Sequence, residues 1–287
     1  MKDVVKQIKK VDIVTKKLVD SIVAGNYYSL FKGQGIEFSE IREYKPNDDV
    51  RAIDWNVTAR YNKPYIKEFI EERDLRVYFA IDCSASNNFG NVVEKKKKAI
   101  EIVASLMFSA VKNNDNVGLI LFTEDVELFV PARKGKKHAL KMIKHMLEYQ
   151  PMHKTTNLAT SFSHISKILK RRSFVFIVSD FFDEGYVKYV AFLKKRHDVV
   201  AIKVNDVRET ELPDVGLIQL EDEETGEQVL VDTSDEEFRQ SYMDFVNEQE
   251  KEFDRTFKKN KIDCIKVMTH EDYGVTLKKF FKMRGRK

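Results

Sequence analysis

The chain has 287 residues, 43% of them hydrophobic and 33% charged, with a formal net charge of +4. This is the composition of a soluble globular protein with a sizeable core, and so balanced a charge argues against nucleic acid as a partner. The start carries Lys2, Asp3 and Lys6 instead of an apolar signal core, no run approaches the roughly 18 apolar residues that span a bilayer, and Cys83 and Cys264 form no CxxC, so the sequence predicts a cytoplasmic protein with free thiols and no membrane span.

Val5, Ile8, Val11, Val14, Leu18 and Ile22 recur at helical spacing, which predicts an amphipathic helix over residues 1 to about 24, stopped at Gly25. Residues 26–73 are irregular, aromatic and densely charged, with strand-like pieces such as Tyr65–Ile70. From Leu75 onward strands and helices alternate. The strands fall at 75–81, 117–122, 126–130, 174–179, 198–204 and 262–267. Helices lie between them, near 93–113, 136–149, 158–171, 186–196 and 235–259. Such alternation predicts an α/β fold, a mostly parallel Rossmann-like sheet with helices on both faces. Residues 217–231 break the rhythm and read as a hairpin turning at Glu224–Glu227. Ser234 with Glu237 has the spacing of a capping box for the last helix. The basic tail Met283–Lys287 reads as frayed. The chain therefore divides into an N-terminal helix and extension, 1–73, packed on an α/β domain, 74–287.

The chemistry concentrates where the first of these strands ends, at Asp82-Cys83-Ser84-Ala85-Ser86. Asp and Ser after a strand serve as turn and helix caps in many proteins. Here, however, one carboxylate and two hydroxyls gather at the carboxyl end of a buried strand, where open α/β sheets bind ligands. Three hard oxygen donors suit a hard divalent cation such as magnesium. Two later segments extend the set. One is Lys154-Thr155-Thr156-Asn157-Leu158 ahead of a helix, and the other is the buried strand that runs through Ser179 into Asp180. A threonine and a distant aspartate at strand–loop boundaries complete an all-oxygen site.

These residues resemble a von Willebrand factor A domain. More specifically, the chain resembles the family called domain of unknown function 58, through the long box Gly35–Arg60 followed by Asp82–Ser86. Asn47 stands where that pattern has Gly and Thr58 where it has Ser; Asn tolerates the left-handed turn, and Thr keeps the hydroxyl. The resemblance implies a Rossmann-like von Willebrand factor A fold with a metal-ion-dependent adhesion site, MIDAS-type, at its carboxyl edge. Its ligands would be Asp82, Ser84 and Ser86 from the first loop, Thr156 (with Thr155 as rival) from the second, and Asp180 from the third, around magnesium or manganese. It also implies an adaptor that works with a MoxR-type AAA+ ATPase and grips a partner's carboxylate.

Within the box, Arg42, Tyr44, Asp48, Asp49, Arg51, Asp54, Trp55 and Arg60 read as an ion-pair network holding the N-terminal segment in place, or as a docking surface. Trp55 is expected to be buried at the junction between the extension and the α/β domain. Glu94-Lys95-Lys96-Lys97-Lys98 reads as a solvated first helical turn. Cys83 reads as a packing residue rather than a nucleophile. The enzyme alternative is a metal-dependent phosphohydrolase using Asp82. Ser84 stands where such chemistry wants a second acid, and no histidine base is placed nearby.

Overall fold

The computed structural model describes Thr15 and residues 37–46, 48–61, 63–70, 75–84, 92–221 and 226–284. The helix expected over 1–24 lies outside the described residues, save Thr15, which is helical and buried. The chain forms two units, residues 31–75 and a larger one that carries residues 76–287.

In the small unit, β1 (Glu37–Glu43) pairs antiparallel with β2 (Tyr65–Ile70). Between them stand a 3-10 turn, Val50–Ala52, and α1 (Trp55–Tyr61). The acids of the box hold this connection together. Arg42 grips Asp48 in a two-pronged pair at 2.7 and 2.9 Å, and the Lys45 amide donates to Asp48 Oδ2 at 2.7 Å. The Arg42 hydrogen bond holds the Asp48 carboxyl down at about 2. Asp49 caps the 3-10 turn. Asp54 accepts the amides of Asn56 and Val57 at the start of α1 and meets Lys67 Nζ at 3.0 Å. The Tyr44 amide donates to Pro64 O at 2.8 Å. Arg51 and Arg60 are exposed. Trp55 is 67% exposed, not buried as its size and aromatic character suggest. It is the first residue of α1, and the seven-residue helix buries none of its side chains.

The larger unit is built on a six-stranded sheet. Its strands are β3 (Arg76–Asp82), β4 (Asn116–Phe122), β5 (Val126–Arg133), β6 (Phe174–Val178), β7 (Asp198–Asn205) and β10 (Asp263–Met268). They lie in the order β10-β7-β6-β3-β4-β5, all parallel except the β4–β5 pair. Counted along the sheet in chain order this is 3-2-1-4-5-6, the doubly wound order. It is a Rossmann-like arrangement with an antiparallel edge strand.

Helices α2 (Val92–Lys112), α3 (Lys136–Glu148), α4 (Leu158–Ile168), α5 (Val187–Arg196), α6 (Glu236–Lys259) and α7 (Tyr273–Arg284) surround the sheet. Because side chains alternate along a strand, one face presents Tyr78, Ala80, Ile120, Phe122, Val175, Ile177, Val199 and Ala201. These pack against Phe162, Val190, Leu193, Phe253 and Phe257 of α4, α5 and α6. Ile81, Leu121 and Val178 point the other way, toward Ala99 and Ile100 of α2 and Met146 of α3. The Tyr78 ring crosses β4 at Gly118, where any Cβ would sit 2.4 Å from the ring, and stacks on Phe129 at 5.9 Å.

Three sequence expectations are corrected. Asp235, not Ser234, caps α6, its carboxylate accepting the Glu237 and Phe238 amides, while Ser234 Oγ donates to Asp232 at 2.6 Å. A final helix, α7, follows β10 and carries the chain through Arg284. That residue is not frayed: its guanidinium pairs with Asp198 at 2.5 Å and Asp263 at 3.3 Å and lies over the Phe174 ring. The hairpin itself forms as expected, β8 (Leu217–Glu221) against β9 (Gln228–Asp232).

Candidate metal centre

β3 and β6 are neighbours at the middle of the sheet, and the chain leaves them toward opposite faces, into α2 and α5. Their carboxyl ends therefore flank the switch point where a doubly wound sheet opens a crevice. Asp82 is the last residue of β3, and Ser179 and Asp180 directly follow β6.

Asp82 is 4% exposed. Its Oδ1 accepts the Ser84 amide at 3.0 Å and the Ser84 hydroxyl at 2.6 Å, and its Oδ2 accepts the Ser179 hydroxyl at 2.8 Å. Those bonds favour the anion, yet burial and the nearby Asp180 charge outweigh them and push the Asp82 carboxyl up to about 7. A buried acid beside a second acid concentrates negative charge at one point.

The loop after β6 is set by Phe181. Its backbone takes the left-handed conformation, φ 58°, which a residue this bulky adopts only under constraint. The constraint is visible. The ring packs among Tyr186, Phe253 and Phe257, while the amide donates to Ser179 Oγ at 3.0 Å. The next amide, Phe182, donates to Asp180 Oδ1 at 3.1 Å. The Phe182 side chain is left 74% exposed beside the crevice.

Thr156 arrives on the loop before α4. Asn157 N donates to Thr123 O just past β4 at 3.4 Å, and Asn157 Oδ1 caps α4 by accepting the Thr160 amide at 2.8 Å. Leu158 N donates to Asp183 Oδ2 at 2.7 Å, which ties this loop to the one that follows β6. Thr156 thus stands at the same sheet edge as Asp82 and Asp180, and the rival Thr155 donates its hydroxyl to Glu124. The loop has one further anchor. Glu127 accepts from Thr123 Oγ1 at 2.5 Å, Tyr149 Oη at 2.7 Å, Met152 N at 3.0 Å and His153 N at 3.1 Å. Burial pushes the Glu127 carboxyl up, but these bonds hold it below its ordinary value. Ser86 lies outside the described residues.

The family described as "Protein of unknown function DUF58" matches residues 40–252. The chain belongs to the DUF58 family. Uncharacterized protein Rv1480 of Mycobacterium tuberculosis is 32% identical over 223 residues, which span 76% of this chain and 70% of that one. Among solved structures, the conserved hypothetical protein BatB from Bacteroides thetaiotaomicron shares 16% identity at a TM-score of 0.47, over 74% of this chain and all of that one. Mussel-byssus proximal thread matrix protein 1 with a zinc-occupied MIDAS motif shares 18% identity at a TM-score of 0.38, over 46% of this chain and 38% of that one.

The DUF58 chain places beside these residues two side chains that the sequence pattern did not single out. Lys95 is the principal correction: it is 2% exposed, not solvated. Its ammonium lies 2.6 Å from Glu209 Oε1 and 3.8 Å from Asp180 Oδ2. The signal was present in the spacing, since Lys95, Ala99, Ile102 and Leu106 form one i, i+4, i+7, i+11 stripe that faces inward. Ser179 was read only as a strand residue. Cys83 is partly buried, its thiol pushed up to about 12 by burial, with Sγ 3.7 Å from Ile81 O.

The donor chemistry fits a hard divalent cation. Among the described residues no group of three or more His, Cys, Asp or Glu gathers in a metal-holding cluster. What gathers is two carboxylates with serine hydroxyls, an oxygen set of the kind magnesium and manganese prefer. No helix among the described residues is long and apolar enough to cross a membrane.

Proposed function

We propose that this DUF58 protein is a non-catalytic, metal-dependent protein-binding adaptor. Asp82, Ser84, Ser86, Thr156 and Asp180 would hold magnesium or manganese, directly or through water. A hard divalent cation there supplies a Lewis-acidic position for a partner's carboxylate. Ser84 and Ser179 orient Asp82, and the constrained Phe181 turn presents Asp180. The exposed Phe182 offers apolar surface at the rim, as a protein partner requires. From the family resemblance, that partner is a MoxR-type AAA+ ATPase or an acidic client, met in the cytoplasm.

The observation that carries this reading is the state of Asp82. It is buried, with both oxygens engaged by hydroxyls and its pKa raised by its surroundings. Such an acid suits support of a cation better than attack on an exposed phosphoryl group. Lys95 is the one observation that favours the alternative, a phosphohydrolase, because a cation beside two aspartates can neutralise a phosphate. Calorimetry with magnesium and manganese on the wild type and Asp82→Ala, joined to pull-downs from the source cell with and without chelator, tests the proposal. Metal binding lost in the variant and chelator-sensitive capture of an ATPase are expected. Phosphatase turnover that disappears in Asp82→Ala would promote the alternative instead.

A further inference from the structure

Burying an ammonium is costly unless its charge is compensated, and Lys95 is 2% exposed. Its compensation is uneven, closer on one side than on the other. Glu209 ends the 3-10 turn Val207–Glu209 that follows β7. It is itself fixed: Oε2 accepts the Asp206 amide at 2.9 Å, and its carbonyl accepts the Tyr242 hydroxyl at 3.1 Å. Glu209 thus draws the Lys95 ammonium to 2.6 Å, while Asp180 waits at 3.8 Å. The ammonium lies between a dedicated partner and an acid of the metal centre.

We infer that Lys95 is a tethered counter-ion that competes with the divalent cation for Asp180, and that Glu209 weakens this competition by holding the ammonium away. The inference rests on the reading that Asp82 and Asp180 hold such a cation. The two residues then act in opposite senses. Removing the lysine charge leaves the acid pair to the metal alone, whereas removing the glutamate charge releases the ammonium toward Asp180. At contact distances and the intermediate dielectric of such a site, one charge is worth roughly a tenfold change in affinity or more.

The test is calorimetric titration of magnesium alone, and manganese alone, into the full chain and its Lys95→Met, Glu209→Gln and Asp82→Ala variants, each checked by circular dichroism. Tighter binding in Lys95→Met and weaker binding in Glu209→Gln, each by roughly tenfold, are expected. A purely structural ion pair would move both in the same direction or neither, and that result overturns the inference while leaving the metal centre standing. If Lys95→Met fails to fold, Glu209→Gln decides: weaker binding supports the inference, unchanged or tighter binding overturns it. Absence of binding by the wild type, or binding that survives Asp82→Ala, overturns both the inference and the reading beneath it.

Discussion

The Ser179 hydroxyl donates to Asp82 Oδ2 at 2.8 Å across a sequence separation of 97 residues. One side-chain hydrogen bond therefore joins the ends of the two central strands and fixes which way the Asp82 carboxylate faces.

The position of Asp82 carries a stability cost that a cation would relieve. Its carboxyl rises from 3.8 in the unfolded chain to about 7 in the folded one. The native state therefore binds more protons than the unfolded state between those values, and stability falls as pH rises through that window. Asp82→Asn removes this term. In chelator at pH 7 and above, the variant should be more stable than the wild type, with the gap closing toward pH 4. Paired thermal melts across that range check it. A variant less stable at every pH would show that the charge is already compensated.

His197 acts in the opposite direction. It is 3% exposed, neither ring nitrogen has a hydrogen-bond partner among the described residues, and burial pulls its pKa from 6.5 to about 4. The ring stays neutral in the folded protein and charges only on unfolding, so its contribution is complete above pH 6.5 and is lost as pH falls through 6.5 toward 4. Between pH 8 and pH 5 this amounts to about 2 kcal/mol. Urea unfolding of wild type and His197→Phe at both pH values measures it; an equal acid loss in the two proteins would remove His197 as the cause.

Trp55, the single tryptophan, offers a fluorescence reading of the box. At 67% exposure its emission should be red-shifted and readily quenched by iodide. Trp55→Ala should change stability by less than about 0.5 kcal/mol, the scale of surface substitutions. A blue-shifted, protected signal together with a loss of several kcal/mol (about 3–5 for a buried aromatic) would mark the residue as core.

Much of the larger unit was legible in the sequence because strands buried on both faces, such as Val77-Tyr78-Phe79-Ala80-Ile81, stand out as unbroken apolar runs between helical periods. The positions of Asp82 and Asp180 were legible because an apolar strand run ends at each, whereas Thr156 stands on a loop between two helices and was placed by its Asn157 cap, not by a strand end. Lys95 was not, because a run of four lysines looks solvated until one asks which of them the helical period turns inward. Trp55 misled because apolar size predicts burial only when an element has a core to face, and α1 has none. The α7 stripe of Tyr273, Leu277, Phe280 and Phe281 was readable, but the basic tail beside it drew attention away. Asp235 displaced Ser234 as the cap because both residue types accept amides equally well, and spacing alone does not rank them.

The sheet order also sets a sequence of events during synthesis. β3, β4 and β5 leave the ribosome consecutively and lie side by side. β6, β7 and β10 emerge later and add, one after another, to the other side of β3. A nascent chain halted before Phe174 therefore holds half a sheet, with the hydrogen-bonding edge of β3 open to any other strand. Asp82 sits at the end of that open edge, and until Ser179 is made its Oδ2 lacks the hydroxyl that orients it. A truncated product of this gene would be both sticky and unable to join the two central strand ends, a clear substrate for chaperones or proteolysis.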